Sequence, residues 1–167
     1  MKNKKLIIGI ALLGIFIIIF GWRYYIVNKK YPATIVEKYK MNEEVNIAKV
    51  KYTVIKEGIN NIEERKDCKL YYVKMIIENT NNKDVDIRMS DIELRLGSFS
   101  ASYSIDYFTK FNDLGNEFTI KAGEKISIIL PYEIYDNFVA DKKLNRIMDY
   151  RRELTFTKYP KKIVVEL

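Results

Sequence analysis

The hydrophobic pattern of the chain begins with an uncharged apolar stretch. Residues Leu6 to Trp22 read LIIGIALLGIFIIIFGW. A helix of about 17 residues, at about 1.5 Å per residue, spans about 25 Å, which is slightly less than the apolar thickness of a bilayer. Extension of the helix to Val27 supplies the missing turn. The pattern therefore predicts a single N-terminal transmembrane helix, with residues 1–27 forming a basic cytoplasmic tip and an anchor.

The flanks of this stretch favour an anchor that is retained. A cleaved signal peptide is the competing interpretation, but its apolar core is shorter and ends in small residues at a cleavage site. The sequence instead continues with aromatic and basic residues of the kind found at membrane interfaces. The predicted membrane-interface residues are Trp22, Arg23, Tyr24 and Tyr25. The basic residues Lys2, Lys4 and Lys5 predict a cytoplasmic N-terminus, so the rest of the chain is expected outside the cell membrane.

Beyond this stretch the pattern changes to short segments with a period of two, which is typical of half-buried strands. The clearest alternation places Tyr71, Val73, Met75 and Ile77 on one face. Similar segments cover residues 50–54, 85–89, 92–96, 125–134, 154–156 and 163–165. Pro131 cannot donate a hydrogen bond to a neighbouring strand, so its segment is predicted to be an edge strand or to contain a bulge. Short strands separated by turns predict an all-β sandwich.

The segments between these strands divide the chain further. Residues 28–44 mix charges and show no period, so they are predicted to form a stalk, and residues 45–167 the β-sandwich ectodomain. The alternation changes phase near Ala48, which indicates a bulge or a break. Residues 58–67 are predicted to form a charged loop, and a short helix is expected within residues 136–150.

Three short motifs carry a resemblance to a known family. A strand ends in Ile77-Glu78-Asn79 before a polar turn, Ser90-Asp91-Ile92 opens the next strand, and Gly123-Glu124 precedes a long strand. In these features residues 45–167 resemble small extracytoplasmic domains of Gram-positive bacteria, of the immunoprotective extracellular antigen type. The resemblance implies an immunoglobulin-like antiparallel β-sandwich, and it supplies no catalytic residue.

Composition excludes most catalytic designs. The chain contains no histidine and one cysteine, Cys68, so a Ser-His-Asp triad, a Cys-His pair and a structural zinc site are all excluded. We therefore expect no cofactor, no metal and no enzymatic activity. The net charge of +7 includes four cations in residues 1–23, which contain no acid, so residues 24–167 carry +3. That balance does not predict nucleic-acid binding.

Two groups of side chains remain as candidates for a site. The carboxylates of Asp84 and Asp86 share one strand face and could hold calcium with Asn81 or Asn82, although a solvated strand edge beside Lys83 and Arg88 is the simpler explanation. An aromatic segment contains the candidate partner-binding residues Phe99, Tyr103, Tyr107, Phe108 and Phe111. Exposed aromatic rings make good recognition surfaces, but the same rings also close sandwich cores. Both interpretations of this segment stay open.

These observations predict a membrane-anchored extracytoplasmic domain that binds a protein, a peptide or an envelope component. Two alternatives share the architecture. The first is an immunity or self-protection factor that neutralises a secreted toxin at the membrane. The second is an envelope hydrolase that uses a pair of carboxylates across a cleft.

Overall fold

The structure, a computed structural model, describes residues 2–32, 34–62, 65–115, 117–136, 144–158 and 160–167. The chain divides into two compact units, Met1–Ile35 and Val36–Leu167. The first unit contains the helix α1 (Lys2–Lys30). The second unit is built mainly from β-strands, and it contains the residues that could form a site.

The helix α1 exposes large apolar side chains on all sides. Those described between Leu13 and Val27 are 46% to 71% exposed, and the rings of Phe16 and Phe20 stack with centroids 5.6 Å apart. Within the described residues, however, no helix combines the length and the apolar character needed to cross a membrane. The transmembrane helix predicted over Leu6–Trp22 is therefore not supported. The side chains of residues 1–9, 11 and 12 lie outside the described part of the chain.

The strands form three sheets, in which most neighbouring strands run antiparallel. In chain order they are β1 (Ile35–Lys40), β2 (Glu44–Ile47), β3 (Val50–Ile62), β4 (Arg65–Asn79), β5 (Val85–Arg88), β6 (Ile92–Leu96), β7 (Phe99–Ser102), β8 (Glu117–Ile120), β9 (Lys125–Tyr135), β10 (Arg152–Lys158) and β11 (Lys161–Glu166). One sheet has the order β1-β11-β10-β6-β7, the second has β2-β3-β4-β9, and β5 pairs with β8 in the third. The predicted β-sandwich is confirmed, whereas its immunoglobulin-like subtype stays a prediction.

The core lies between the two larger sheets, on the face that the alternation predicts. Tyr71, Val73, Met75 and Ile77 of β4 are fully buried; the first three pair in register with buried residues of β9, and Ile77 pairs with the half-buried Ile126. The strand β9 is the last of its sheet, so the edge position predicted from Pro131 is confirmed. The phase change near Ala48 is a hairpin turn, because Ala48 and Lys49 both have positive φ, 51° and 64°. Two such residues twist the chain as adjacent antiparallel strands require.

The predicted stalk over residues 28–44 is wrong in two respects. Its first residues belong to α1, and residues 35–40 form β1, which lies beside β11. The backbone N–H of Met41 donates to Glu166 at 3.1 Å, and Lys161 Nζ lies 2.6 Å from Glu37 Oε1. β1 is an edge strand without a buried residue, so its sequence shows no alternation that could reveal it.

The charged loop predicted over residues 58–67 is also wrong, apart from Glu63 and Glu64, which lie outside the described residues. Gly58 to Ile62 continue β3, and Arg65 to Asp67 begin β4. The register between the two strands shifts after Val54, which reverses the inside and outside positions and hides the strand in the sequence. The ring of Tyr72 covers Gly58 so closely that a Cβ there would lie 2.5 Å from the Tyr72 hydroxyl.

The chain forms a second helix in the aromatic segment, for which neither a helix nor a strand is predicted from the sequence. The helix α2 (Ile105–Asn112) ends at Asp113, whose φ of 54° is left-handed. A short helix is predicted within residues 136–150, but residues 137–143 lie outside the described part of the chain. Leu144–Asp149 forms a 3-10 turn, and a second 3-10 turn covers Met89–Asp91.

Candidate functional site

The structure divides the aromatic segment between the core and the surface. Phe108 is fully buried and Tyr103 is 8% exposed, and their rings lie 5.4 Å apart, so of the two interpretations left open these two residues follow the one in which the rings close the core. Phe99 is half-buried against the core. Tyr107 and Phe111, one turn apart on α2 with centroids 5.9 Å apart, remain at the surface. The helical period of α2 explains part of the division, because Tyr107 and Phe111 are four residues apart and share a face, whereas Phe108 is turned about 100° from Tyr107.

The helix α2 also closes an edge of the four-stranded sheet. The side-chain amide of Asn112 donates to the carbonyl oxygen of Ile129 at 2.8 Å and accepts from its N–H at 2.7 Å. Nearby, the N–H of Ser104 donates to the carbonyl oxygen of Pro131 at 2.7 Å. These bonds occupy backbone groups of β9 that a foreign strand would otherwise use. Most residues of the aromatic segment therefore pack in the core or cover the edge of β9.

A cleft between the two larger sheets is the better candidate for a binding site. It has a volume of about 240 Å³ and is called the end cleft below. Its apolar wall includes Val50 and Tyr52 of β3, Ile92 of β6 and Phe156 of β10. The rings of Tyr52 and Phe156 meet at 5.2 Å with a tilt of 57°. These side chains belong to the buried core, so the shape of the cleft is set by the fold.

Two of the charged side chains at the end cleft already have a hydrogen-bond or ion-pair partner within the protein. Asp86 accepts a hydrogen bond of 2.7 Å from the Thr119 hydroxyl, and Arg88 Nε lies 3.3 Å from Glu117 Oε1. The exposed carboxylate of Asp91 has no hydrogen-bond or ion-pair partner among the residues described, which leaves it available to a ligand.

The end cleft also contains a hydroxyl that stays protonated. Burial, with a smaller contribution from the negative charge of Asp91, raises the pKa of Tyr52 to about 12. The Tyr52 hydroxyl is therefore a hydrogen-bond donor at any physiological pH. Together with Asp91, it gives the end cleft one donor and one free carboxylate beside an apolar wall.

Sequence reasoning did not find the end cleft, because its residues come from five strands and two turns that are distant in sequence. Of the three motifs in the sequence, Ser90-Asp91-Ile92 contributes Asp91 and Ile92 to the cleft. Asp84 and Asp86, considered above as calcium ligands, serve the fold: Asp84 accepts from the N–H of Ala122 at 3.0 Å. The described residues contain no group of three or more potential metal-ligating side chains. The predicted interface residues of α1 are exposed, namely Trp22, Arg23, Tyr24 and Tyr25.

A second hollow, where the end of β3 meets the start of β4, contains the cysteine. Its lining includes Arg65, Lys66, Lys69 and the buried side chain of Cys68. Burial, followed by the negative charge of Glu133, raises the pKa of the Cys68 thiol to about 11. The reactive thiolate is therefore scarce at neutral pH.

We expect Cys68 in the folded protein to react with a maleimide about 100-fold more slowly than in denaturant, because both burial and the raised pKa withhold the thiolate. Labelling rates measured by mass spectrometry with and without denaturant test this expectation. A cysteine placed at the exposed Asn82 in a Cys68→Ala background provides the rapidly labelled control. Equal rates for Cys68 in the two conditions would show that the thiol is accessible in the folded state.

The fold and the end cleft define the protein as a β-sandwich with a small apolar cleft. The family model described as "Domain of unknown function (DUF5028)" matches residues 48–163. The chain therefore belongs to the DUF5028 family. No curated protein matches the chain.

Solved structures of the same fold come from several bacteria. An uncharacterized beta-sandwich protein from Clostridium difficile 630 has a TM-score of 0.52 at 13% identity, covering 80% of this chain and 95% of that chain. The yjhA protein from Bacillus subtilis has a TM-score of 0.50 at 18% identity, covering 77% and 98%. The secreted protein MPT63 from Mycobacterium tuberculosis has a TM-score of 0.54 at 8% identity, covering 81% and 99%. At these identities the likeness is one of fold alone.

Proposed function

We propose that this protein is a non-enzymatic binding domain that its N-terminal helix holds at the outer face of a cell membrane. The observation that carries the proposal is the apolar surface of α1, on which the described side chains from Leu13 to Val27 are 46% to 71% exposed. A helix that is apolar on all sides requires an apolar environment, and a lipid bilayer provides one. The uncharged sequence from Leu6 to Trp22 and the basic residues before it support the same location and orientation.

The binding role is supported by the end cleft. Its apolar wall is part of the rigid core, whereas Asp91 at its rim has no partner among the described residues. Pockets that combine apolar walls with a few polar groups are the usual form of a binding site. The lack of histidine in the sequence removes the commonest general base and nucleophile activator, so binding is favoured over catalysis. We further propose that the sandwich is of the immunoglobulin-like, immunoprotective extracellular antigen type that the sequence resembles.

The side of the membrane can be tested by cysteine labelling in whole cells. Asn82→Cys in a Cys68→Ala background places an exposed thiol on the sandwich, and Asn3→Cys places one before the apolar stretch. A membrane-impermeant maleimide is expected to label the first variant in intact cells and the second only after lysis. Labelling of Asn82→Cys only after lysis would contradict the proposed orientation. Recovery of the protein in the soluble fraction of lysed cells would contradict membrane attachment.

A further inference from the structure

The strand β5 faces the end cleft with an edge that no strand of the described residues covers. Its four residues, Val85–Arg88, all line the cleft, although successive side chains of a strand point to opposite faces. β5 pairs with β8 on one side only, and no backbone hydrogen bond joins its other edge to any described residue. Such an edge is a template for an additional strand. An extended peptide is therefore the ligand that this side of the cleft fits.

The volume of the end cleft limits what such a peptide can insert. About 240 Å³ corresponds to about eight molecules of liquid water, which is enough for one large apolar side chain and too little for a folded element. Ile47, Val50, Ile92 and the rings of Tyr52 and Phe156 would surround that side chain with apolar atoms. Peptides that add to a sheet edge gain specificity in this way, through pockets for alternate side chains.

The charges at the rim favour a cation next to that apolar side chain. The guanidinium of Arg88 is already paired with Glu117, and Asp86 is hydrogen-bonded to Thr119. Asp91 is the carboxylate of the cleft that has no partner among the described residues. The rim thus presents an excess of negative charge, although the chain as a whole is basic.

We infer that the end cleft binds an extended peptide that adds to the free edge of β5. The peptide places one apolar side chain in the cleft and a neighbouring lysine or arginine at Asp91. Tyr52 lines the cleft, and its hydroxyl stays protonated, so it would donate to a carbonyl oxygen of the peptide. This inference deepens the proposed function, and it rests on the binding role proposed there.

A peptide array tests the inference directly. The probes are fluorescein-labelled pentapeptides Ser-X-Ser-Z-Ser, in which X is alanine, leucine or phenylalanine and Z is lysine, glutamate or serine. Alternate residues of a strand share a face, so X and Z point the same way. Fluorescence anisotropy with the full chain in mild detergent is expected to show the tightest binding for a large apolar X with lysine at Z. Glutamate at Z is expected to weaken binding more than tenfold, because like charges then face each other.

Matched variants locate the binding site. Asp91→Asn is expected to weaken binding of the lysine probe about fivefold, as for loss of an exposed ion pair. Asp113→Asn removes an exposed carboxylate outside the cleft and should leave the affinity unchanged. Thr157→Trp, at an exposed position of the cleft wall, should abolish binding by filling the cleft. Thermal unfolding of each variant confirms that it folds. A probe N-methylated at alternate peptide bonds should not bind, because it cannot pair with β5.

The inference is overturned if no probe binds the folded wild-type chain, or if Asp91→Asn and Thr157→Trp leave binding unchanged. It is also overturned if the N-methylated probe binds as well as its parent. These failures differ from a failure of the proposed function. Labelling that places the sandwich inside the cell would contradict the membrane role even if the array gave the expected pattern.

Discussion

Replacement of Arg152 by methionine is expected to lower the free energy of unfolding by about 3 to 5 kcal/mol, the usual effect of removing one partner from a buried ion pair. Arg152 of β10 and Glu57 of β3 join the two sheets through Nη2–Oε1 and Nε–Oε2 contacts of 3.1 Å each. Their side chains are only 16% and 11% exposed. Methionine would leave the Glu57 carboxylate buried with no cation beside it.

The same guanidinium also holds the chain that enters β10. It donates to the carbonyl oxygens of Met148 and, at 3.0 Å, Tyr150, while Glu57 accepts in addition from the Tyr71 hydroxyl. Thermal unfolding of the full chain in mild detergent, followed by far-ultraviolet circular dichroism, measures the loss. For a folded unit of this size, 3 to 5 kcal/mol corresponds to about 10 to 20 °C in Tm.

Two controls separate the buried pair from ordinary surface charge. Arg88→Met removes the same side chain from an exposed pair, in which Arg88 and Glu117 are 69% and 64% exposed, and should cost less than about 1 kcal/mol. Glu57→Gln combined with Arg152→Met should be more stable than Arg152→Met alone, because no unpaired charge then remains buried. If Arg152→Met costs no more than Arg88→Met, the pair contributes nothing to the cohesion of the sheets.

The parts of the fold that can be predicted from sequence are those whose two faces meet different environments. Val73 and Met75 of β4 are fully buried, whereas Lys74 between them is half-buried on the opposite face. The sequence must then alternate, so strand and inward face are both readable from it. Pro131 is equally informative, because it cannot serve two neighbouring strands.

A strand cannot be predicted where both of its faces meet similar environments, or where a register shift exchanges its inward and outward positions. β1 is exposed over most of its length, and its pairing with β11 depends on residues more than a hundred positions away. The β3–β4 hairpin extends beyond Val54 only after a register shift, so a reading with constant phase stops there. The helix α2 spans eight residues, which is about two turns and too few for a helical period to stand out.

The candidate site fails to appear in the sequence for a different reason. The lining of the end cleft extends from Ile47 to Thr157 along the chain, and its walls come from five strands. No local pattern records such distances, because they depend on which strands become neighbours. A single residue such as Asp91 can be quoted as part of a motif, but its lack of a partner is a property of the folded chain.

Alanine at Asn79 is expected to destabilise the protein by about 3 kcal/mol, since several buried hydrogen bonds are lost together. Asn79 is fully buried at the end of β4. Its side-chain N–H groups donate to the carbonyl oxygens of Lys83 at 2.9 Å, Ile120 at 3.0 Å and Lys121 at 3.1 Å. Its Oδ1 accepts from the N–H of Asn81 at 2.9 Å. One amide thus fixes the turn after β4 to the end of β8.

A charge substitution makes this prediction specific. Asn79→Asp keeps the size of the side chain but directs carboxylate oxygens at the carbonyl oxygens of Lys83, Ile120 and Lys121, so it should destabilise at least as much as Asn79→Ala. Asn82→Ala, in the same turn but exposed, should cost less than about 0.5 kcal/mol. The same unfolding measurement compares all three variants. If Asn79→Asp has the same free energy of unfolding as the wild type, the amide donors are dispensable. The expected loss of stability would instead explain why the strand that ends in Ile77-Glu78-Asn79 finishes with asparagine.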